Sequence, residues 1–167
     1  MTPTNTGYPE IPATPPSAGE ISALPSFTWT VRVYYEDTDA GGVVYYANYL
    51  RFFERCRTEW MRALGFGQQE MAKRDGVLFV VAAADVRYLR SARLDDELVV
   101  DARIAERFGS YVVFEQTARR GREVLCSSRM KVACVDAQSM RPTRLPAALV
   151  ARLVPPDGAA QQAGARE

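Results

Sequence analysis

Residues 31–49 read V-R-V-Y-Y-E-D-T-D-A-G-G-V-V-Y-Y-A-N-Y, and this stretch decides the fold class. Its opening, residues 29–36, is rich in β-branched and aromatic side chains and reads as a short strand. The run Asp37-Thr38-Asp39-Ala40-Gly41-Gly42 consists of turn residues and ends that strand. Over 45–64 the apolar positions Tyr49, Leu50, Phe53, Cys56, Trp60 and Leu64 recur every three or four residues, while Arg51, Glu54, Arg55, Arg57, Glu59 and Arg62 fill the other faces. This spacing predicts an amphipathic helix of about five turns, stopped by Gly65 in a left-handed conformation. A shorter helical piece over 68–74 leads to Gly76.

Downstream the period changes from helical to alternating. Leu98, Val100, Ala102 and Ile104 alternate with Val99, Asp101, Arg103 and Ala105, and residues 111–119 are rich in Val, Phe and Thr. Arg120-Gly121 suits a hairpin turn. Across 123–136, Cys126, Ser128, Met130, Val132 and Cys134 face one way, and Ser127, Arg129, Lys131, Ala133 and Val135 the other. One long helix followed by about four strands is an α+β pattern, a single antiparallel sheet packed against a central helix. Such a sheet leaves a face to cover, and self-association is a natural way to cover it.

Composition removes several chemistries. The 167 residues include no histidine, so neither a Ser-His-Asp nor a Cys-His nucleophile, nor a histidine-ligated zinc, is available. Carboxylates, hydroxyls, thiols and backbone dipoles remain. The three cysteines, Cys56, Cys126 and Cys134, are odd in number and lack CxxC spacing, which speaks against a disulfide framework or thiolate cluster and for small buried hydrophobes. A net charge of +1 argues against general nucleic-acid binding. The longest apolar run, residues 77–84, is well short of the ~18 residues of a membrane span.

The domain is expected over 29–154. Residues 1–28 form a Pro-rich leader expected to be disordered, with no Lys or Arg and six of the ten prolines, and 155–167 a flexible tail of similar composition. The leader lacks the basic and apolar regions of a secretory signal and the arginines of a transit peptide, so a cytoplasmic protein is expected.

The turn is where chemistry concentrates. It places Glu36, Asp37 and Asp39, two glycines and the start of a long helix within a dozen residues. A helix start leaves about four unsatisfied N–H groups and roughly half a positive charge, suited to an anion or a developing oxyanion. Asp39 is placed to act as base or nucleophile without histidine. The plainer reading is that Asp37 and Asp39 make an Asx turn and cap the helix while Gly41-Gly42 forms the bend. The D-x-D-x-G spacing does not complete an EF-hand pattern, and no metal is expected.

The run V-R-V-Y-Y-E-D-T-D-A-G-G-V-V-Y, the following Y-A-N-Y-L-R-F-F-E-R-C-R-T-E-W and the later R-L-D-D-E-L closely resemble the hot-dog acyl-CoA thioesterases of the YbgC type, associated with the Tol-Pal envelope system, and the related 4-hydroxybenzoyl-CoA thioesterases. The resemblance covers about residues 29–153. It implies a long helix wrapped by a curved antiparallel sheet, assembly as dimers or homotetramers with active sites at subunit interfaces, and hydrolysis of an acyl-CoA, or of an acyl-carrier-protein thioester, without a cofactor. It places the catalytic aspartate on Asp39 and the oxyanion-hole N–H on Tyr46, with Gly42, Val43 and Val44 lining the approach. The YbgC branch usually reads V-V-Y-H where this chain has Val43-Val44-Tyr45-Tyr46, so a histidine-dependent mechanism is not implied. A non-catalytic acyl-binding or scaffold protein of the cell envelope is the rival expectation. A hot-dog hydratase is disfavoured, since it normally needs a histidine.

Glu54 and Glu59 have arginines three or four positions away and read as surface ion pairs. Arg87, Arg90, Arg107, Arg129 and Lys131 are candidates for CoA phosphates or for a solvated strand face. Tyr45, Tyr49, Phe52 and Phe53 fit an acyl pocket or, at helical spacing, core.

Overall fold

The chain threads one sheet from edge to edge by way of one helix. The computed structural model describes residues 25–153, so most of the leader and all of the tail lie outside the described residues. Strand β1 (Ser26–Arg32) is followed by a single 3-10 turn (Tyr35–Asp37) and then by helix α1 (Asn48–Ala63) and helix α2 (Gln68–Arg74). Strands β2 (Val77–Tyr88), β3 (Glu97–Arg107), β4 (Tyr111–Arg120) and β5 (Glu123–Asp136) come next, and helix α3 (Ala147–Leu153) closes the described chain. The sheet order is β1-β3-β4-β5-β2, every neighbouring pair antiparallel. The connection through α1 therefore carries the chain from one edge strand, β1, to the other, β2.

The expected alternation of strand faces decides the packing. Leu98, Val100, Ala102 and Ile104 of β3, and Cys126, Met130, Val132 and Cys134 of β5, are buried on the inner face. Against them α1 buries Tyr49, Phe52, Phe53, Cys56 and Trp60, packing on β1, β3 and β4. Burying a large apolar side chain contributes about 1.5–3 kcal/mol, so this stripe is the main attachment of helix to sheet. The three cysteines are buried as expected, and burial pushes the Cys56 and Cys126 thiols up to about 12. The outer face carries ion pairs: Glu115 holds both Arg103 and Arg129, and Arg129 also reaches Glu106.

Several boundaries differ from the sequence reading for local reasons. Strand β1 starts at Ser26, inside the stretch assigned to the leader, because residues 26–28 pair with 101–103 of β3. It ends at Arg32 rather than near Glu36, since Asp37 draws the chain into the 3-10 turn by accepting the Tyr34 N–H at 2.9 Å. Helix α1 starts at Asn48 rather than 45, because the Val44 and Tyr45 N–H groups donate to Ala92 and Asp37 carbonyls, each at 2.9 Å. Leu50, placed in the apolar stripe, is 38% exposed; Phe52 fills the core instead. The continuous run 77–84 is the first part of β2, and Gly121, with φ +59°, makes the β4–β5 hairpin as expected. Helix α3 was not anticipated; Pro146 before it and the spacing of Leu149 and Leu153 were its signals.

Candidate active site

The loop between the 3-10 turn and α1 is built around two buried polar residues, Asp37 at 5% and Asn48 at 6% exposure. Asp37 ties the loop through both of its carbonyl-type groups. Its carboxylate accepts the Tyr34 N–H, and its backbone C=O accepts both the Tyr45 N–H at 2.9 Å and the Asn48 side-chain amide at 2.9 Å. Thr38 and Val44 form an isolated antiparallel bridge, and Val44 is anchored to Ala92 of the β2–β3 loop. The chain thus leaves the sheet, turns back on itself and enters α1 at a fixed angle.

Asp39 sits at the tip of this turn. Its N–H donates to the Val43 C=O at 3.0 Å, its C=O accepts the Gly42 N–H at 3.0 Å, and its Oδ1 accepts the Gly41 N–H at 2.8 Å. Its Oδ2 accepts no hydrogen bond among the described residues, and the residue is exposed. A Cβ on residue 41 would lie 3.1 Å from Oδ1, and Gly42 has φ +72°, so the glycine pair lets the loop close around the carboxylate. The Asx contact of the plainer reading is therefore present, made by one oxygen of a carboxylate whose other oxygen faces solvent. Asp37, by contrast, caps the 3-10 turn and not α1.

The start of α1 is uncapped. Its first turn contains no acidic residue, and Ala47 at its cap position offers no side-chain hydrogen bond. The Asn48 N–H donates to the Tyr45 C=O at 2.8 Å, while the Tyr46 and Ala47 N–H groups meet no acceptor among the described residues. Unsatisfied donors at the head of a 16-residue helix are the physical basis of an anion or oxyanion site. Tyr46 is 60% exposed and its ring lies 4.6 Å from that of Tyr45 and 6.1 Å from that of Tyr88. The Tyr45 hydroxyl titrates above the usual tyrosine range, first through the neighbouring Tyr46 side chain and also through the negative charge of Asp39.

Known proteins resemble the chain over most of the described residues. The thioesterase-like superfamily matches residues 33–153. Over 120 residues the chain is 48% identical to the acyl-CoA thioesterase YbgC of Haemophilus influenzae, covering 72% of this chain and 88% of that protein. Over 127 residues it is 47% identical to the acyl-CoA thioester hydrolase YbgC of Escherichia coli O6:H1, covering 75% of this chain and 93% of that one. The chain belongs to the thioesterase-like superfamily, in its YbgC family. A probable thioesterase from Bartonella henselae superposes with a TM-score of 0.70 at 34% identity, covering 73% of this chain and all of that one. The α+β hot-dog fold expected of a YbgC-family chain is the fold found.

In this family member the expected site residues fall on one short loop. Asp39, Gly42, Val43, Val44 and Tyr46 all lie between the 3-10 turn and α1, Val43 half-buried and Val44 turned into the core. Tyr49, Phe52 and Phe53 are core, and Tyr45 is 43% exposed beside Tyr46. Glu59 pairs with Arg62 as expected, whereas Glu54 accepts the Thr58 hydroxyl at 2.6 Å in place of an arginine. Arg129 is engaged by Glu115 and Glu106, Arg90 lies 3.8 Å from Glu123, and Lys131 sits 4.1 Å above the Tyr111 ring. Sequence reasoning missed the structural roles of Asn48 and of Asp96, whose carboxylate accepts the Arg93 N–H at 2.8 Å and the Arg120 guanidinium at 2.7 Å and so shapes the loop that carries Ala92. A polar residue within a helix start and the run R-L-D-D-E-L were the available signals.

Proposed function

We propose that this chain hydrolyses acyl-CoA thioesters to a free acid and CoA, with Asp39 as base or nucleophile and the Tyr46 N–H as oxyanion donor. The observation that carries the reading is the presence, within one hydrogen-bonded loop, of an exposed carboxylate with one oxygen uncommitted and of an uncapped helix start, in a chain whose YbgC relatives bear the names given above. In this reading the thioester carbonyl oxygen docks on the Tyr46 N–H. Asp39 takes a proton from water as the water oxygen bonds to the carbonyl carbon, or attacks that carbon itself. Collapse of the tetrahedral species breaks the C–S bond, and the CoA thiolate, a competent leaving group, departs without an acid. If Asp39 attacks, water then cleaves the resulting anhydride.

The absent histidine is compatible with this chemistry, because a backbone donor does not depend on the side chain at position 46. Removing one donor from such a site typically costs ~100–1000-fold in rate. We also place the working form in a homo-oligomer in the cytoplasm. Strand β2 is a sheet edge with Val81, Ala82, Ala83 and Ala84 exposed, and an unprotected apolar edge of this kind favours pairing with a second copy. No helix among the described residues is long and apolar enough to cross a membrane.

The test follows free-thiol release from short, medium, long and hydroxybenzoyl acyl-CoAs, with wild type and Asp39→Asn compared and their assembly checked by size exclusion. Loss of a general base lowers the rate by ~10²–10⁴-fold. Hydrolysis that collapses in Asp39→Asn is the expected result. Equal activity in both proteins retires Asp39 in favour of Glu54 and Glu59, and no hydrolysis by folded wild type moves the reading to an acyl-binding or scaffold protein.

A further inference from the structure

A second chemically shaped space lies away from the Asp39 loop, between the later turns of α1, helices α2 and α3, and strands β2, β4 and β5. It is an open cleft, with about 740 Å³ of empty space when the solvent at its mouth is counted. Its walls differ in kind. Phe79, Val112, Val132, Leu145, Leu149 and Leu153 make an apolar floor and far end, while Glu54, Arg57, Thr58 and Gln68 line the helical side.

Arg57 is the unusual member. It leaves the polar face of α1 and turns inward, its Nη1 2.6 Å from Gln116 Oε1 and its guanidinium carbon 6.0 Å from the centre of the Phe114 ring. Gln116 is itself buried and committed, its amide nitrogen donating to the Phe53 C=O at 3.0 Å. A guanidinium carries five N–H donors. Among the described residues Arg57 has that one neutral hydrogen-bond acceptor, and the charge of Glu54 acts on it without forming a close ion pair. Burial accordingly pushes its pKa down. Glu54, one turn back, is occupied by the Thr58 hydroxyl, which also accepts the Gln68 amide at 2.8 Å.

The cavity has a direction. Along β4 it runs from Phe114, beside Arg57, to Val112, and beyond the start of that strand Leu145 is held by its N–H to the Gly109 C=O at 2.9 Å. The cation therefore stands at one end and the leucines of α3 and its approach at the other. A group that satisfies a half-buried guanidinium best is a carboxylate, which accepts two parallel N–H bonds. What fits the rest is an alkyl chain.

We infer that this cavity binds a monocarboxylate bearing an apolar chain, with the carboxylate on Arg57 and the chain among Leu145, Leu149 and Leu153. Only the description of this ligand as the class of acid that the enzyme releases rests on the activity proposed above; the binding itself does not. Glu54 opposes the ligand's charge, so its removal tightens binding.

Calorimetric titration of the full chain with sodium octanoate, octan-1-ol and n-octylammonium tests this. Octanoate binds at least about tenfold more tightly than the alcohol, as a charge-assisted hydrogen bond requires, and the ammonium more weakly than either. Arg57→Met loses that preference while retaining the alcohol, and Glu54→Gln strengthens octanoate binding. Equal affinity for octanoate and octanol, or no octanoate heat at millimolar concentration, overturns the proposal, and both comparisons are made on wild type, so neither depends on a variant that folds. Octanoyl-CoA hydrolysis measured on the same preparation separates the two readings. Turnover without octanoate binding sinks only the cavity assignment, and binding without turnover of any acyl-CoA sinks only the proposed activity.

Discussion

The two ends of α1 are finished in opposite ways. At the C-terminal end Gly65, with φ +88°, donates its N–H to the Arg62 C=O and Phe66 donates to the Met61 C=O, both at 2.9 Å. This paired closure is a Schellman motif, which satisfies carbonyls that the helix would otherwise leave open. At the N-terminal end no side chain caps the helix, no acid occupies the first turn, and the Tyr46 and Ala47 N–H groups meet no acceptor among the described residues. One end is sealed by its own sequence. The other is left with free donors beside Asp39, although a single Ser or Asp there would have stabilised it by about 1 kcal/mol. That asymmetry is expected where a helix start serves a ligand in place of stability.

Closing the open end should therefore cost function and gain stability. Ala47→Asp puts a carboxylate among the first-turn N–H groups, where the helix dipole favours it by ~0.3–1 kcal/mol. Thioester hydrolysis falls by about a hundredfold in the same variant, the scale of losing an oxyanion donor. Unchanged turnover in a protein no less stable to urea would show that the helix start takes no part. Asn48→Ala acts on the frame of that end. It removes one of the two donors that hold the Asp37 C=O, at a cost of about 0.5–1.5 kcal/mol by urea denaturation since that carbonyl keeps the Tyr45 N–H, and turnover falls with it because the Asp37–Tyr45 link loses its brace.

The same asymmetry explains what the sequence made legible. The sealed end announced itself: Gly65 follows a run of 3.6-residue periodicity, and the stop was expected there. The alternating strands were equally plain, since Leu98, Val100, Ala102 and Ile104 point inward with no exception. The open end was harder, because its helix boundary is set by partners distant in sequence. The Val44 N–H is taken by Ala92 and the Val33 N–H by Asp96, and nothing in residues 31–49 reports those acceptors. The composition of the turn identified Asp39 and the glycines as candidates. It left undecided whether a carboxylate there caps or reacts, and the geometry has one oxygen committed to Gly41 and the other facing solvent. Arg57 was read as surface because its position lies on the polar face; its inward turn depends on Gln116, 59 residues away.

Breaking the sealed end gives a smaller effect and a different pattern. Gly65→Ala forces a Cβ into left-handed backbone where nothing clashes, so the cost is conformational alone, about 1 kcal/mol. Stability to urea drops by that amount while kcat and KM for any acyl-CoA stay within error. A loss of turnover disproportionate to the loss of stability would mean that the two ends are coupled and share no division of labour.

The smallest effect concerns the loop that carries Ala92 to the open end. Burial pushes the Asp96 carboxyl up, but the Arg93 N–H, the Arg120 guanidinium and the charges of both arginines together hold it below the usual carboxylate range. A depressed folded pKa means that the unfolded chain takes up a proton first as the pH falls. The stability that Asp96 contributes is therefore complete above the unfolded value of about 3.9 and is lost as pH drops through the lower folded value. Because the Arg120–Asp96 pair is partly exposed, its worth is below about 1 kcal/mol. Thermal melts of wild type and Asp96→Asn should differ at pH 6 and converge as the pH falls through the lowered folded value. A gap that stays constant with pH would assign Asp96 a role in shape alone, and would leave the support of the helix start to the contacts of Ala92 with Val44 and Tyr49.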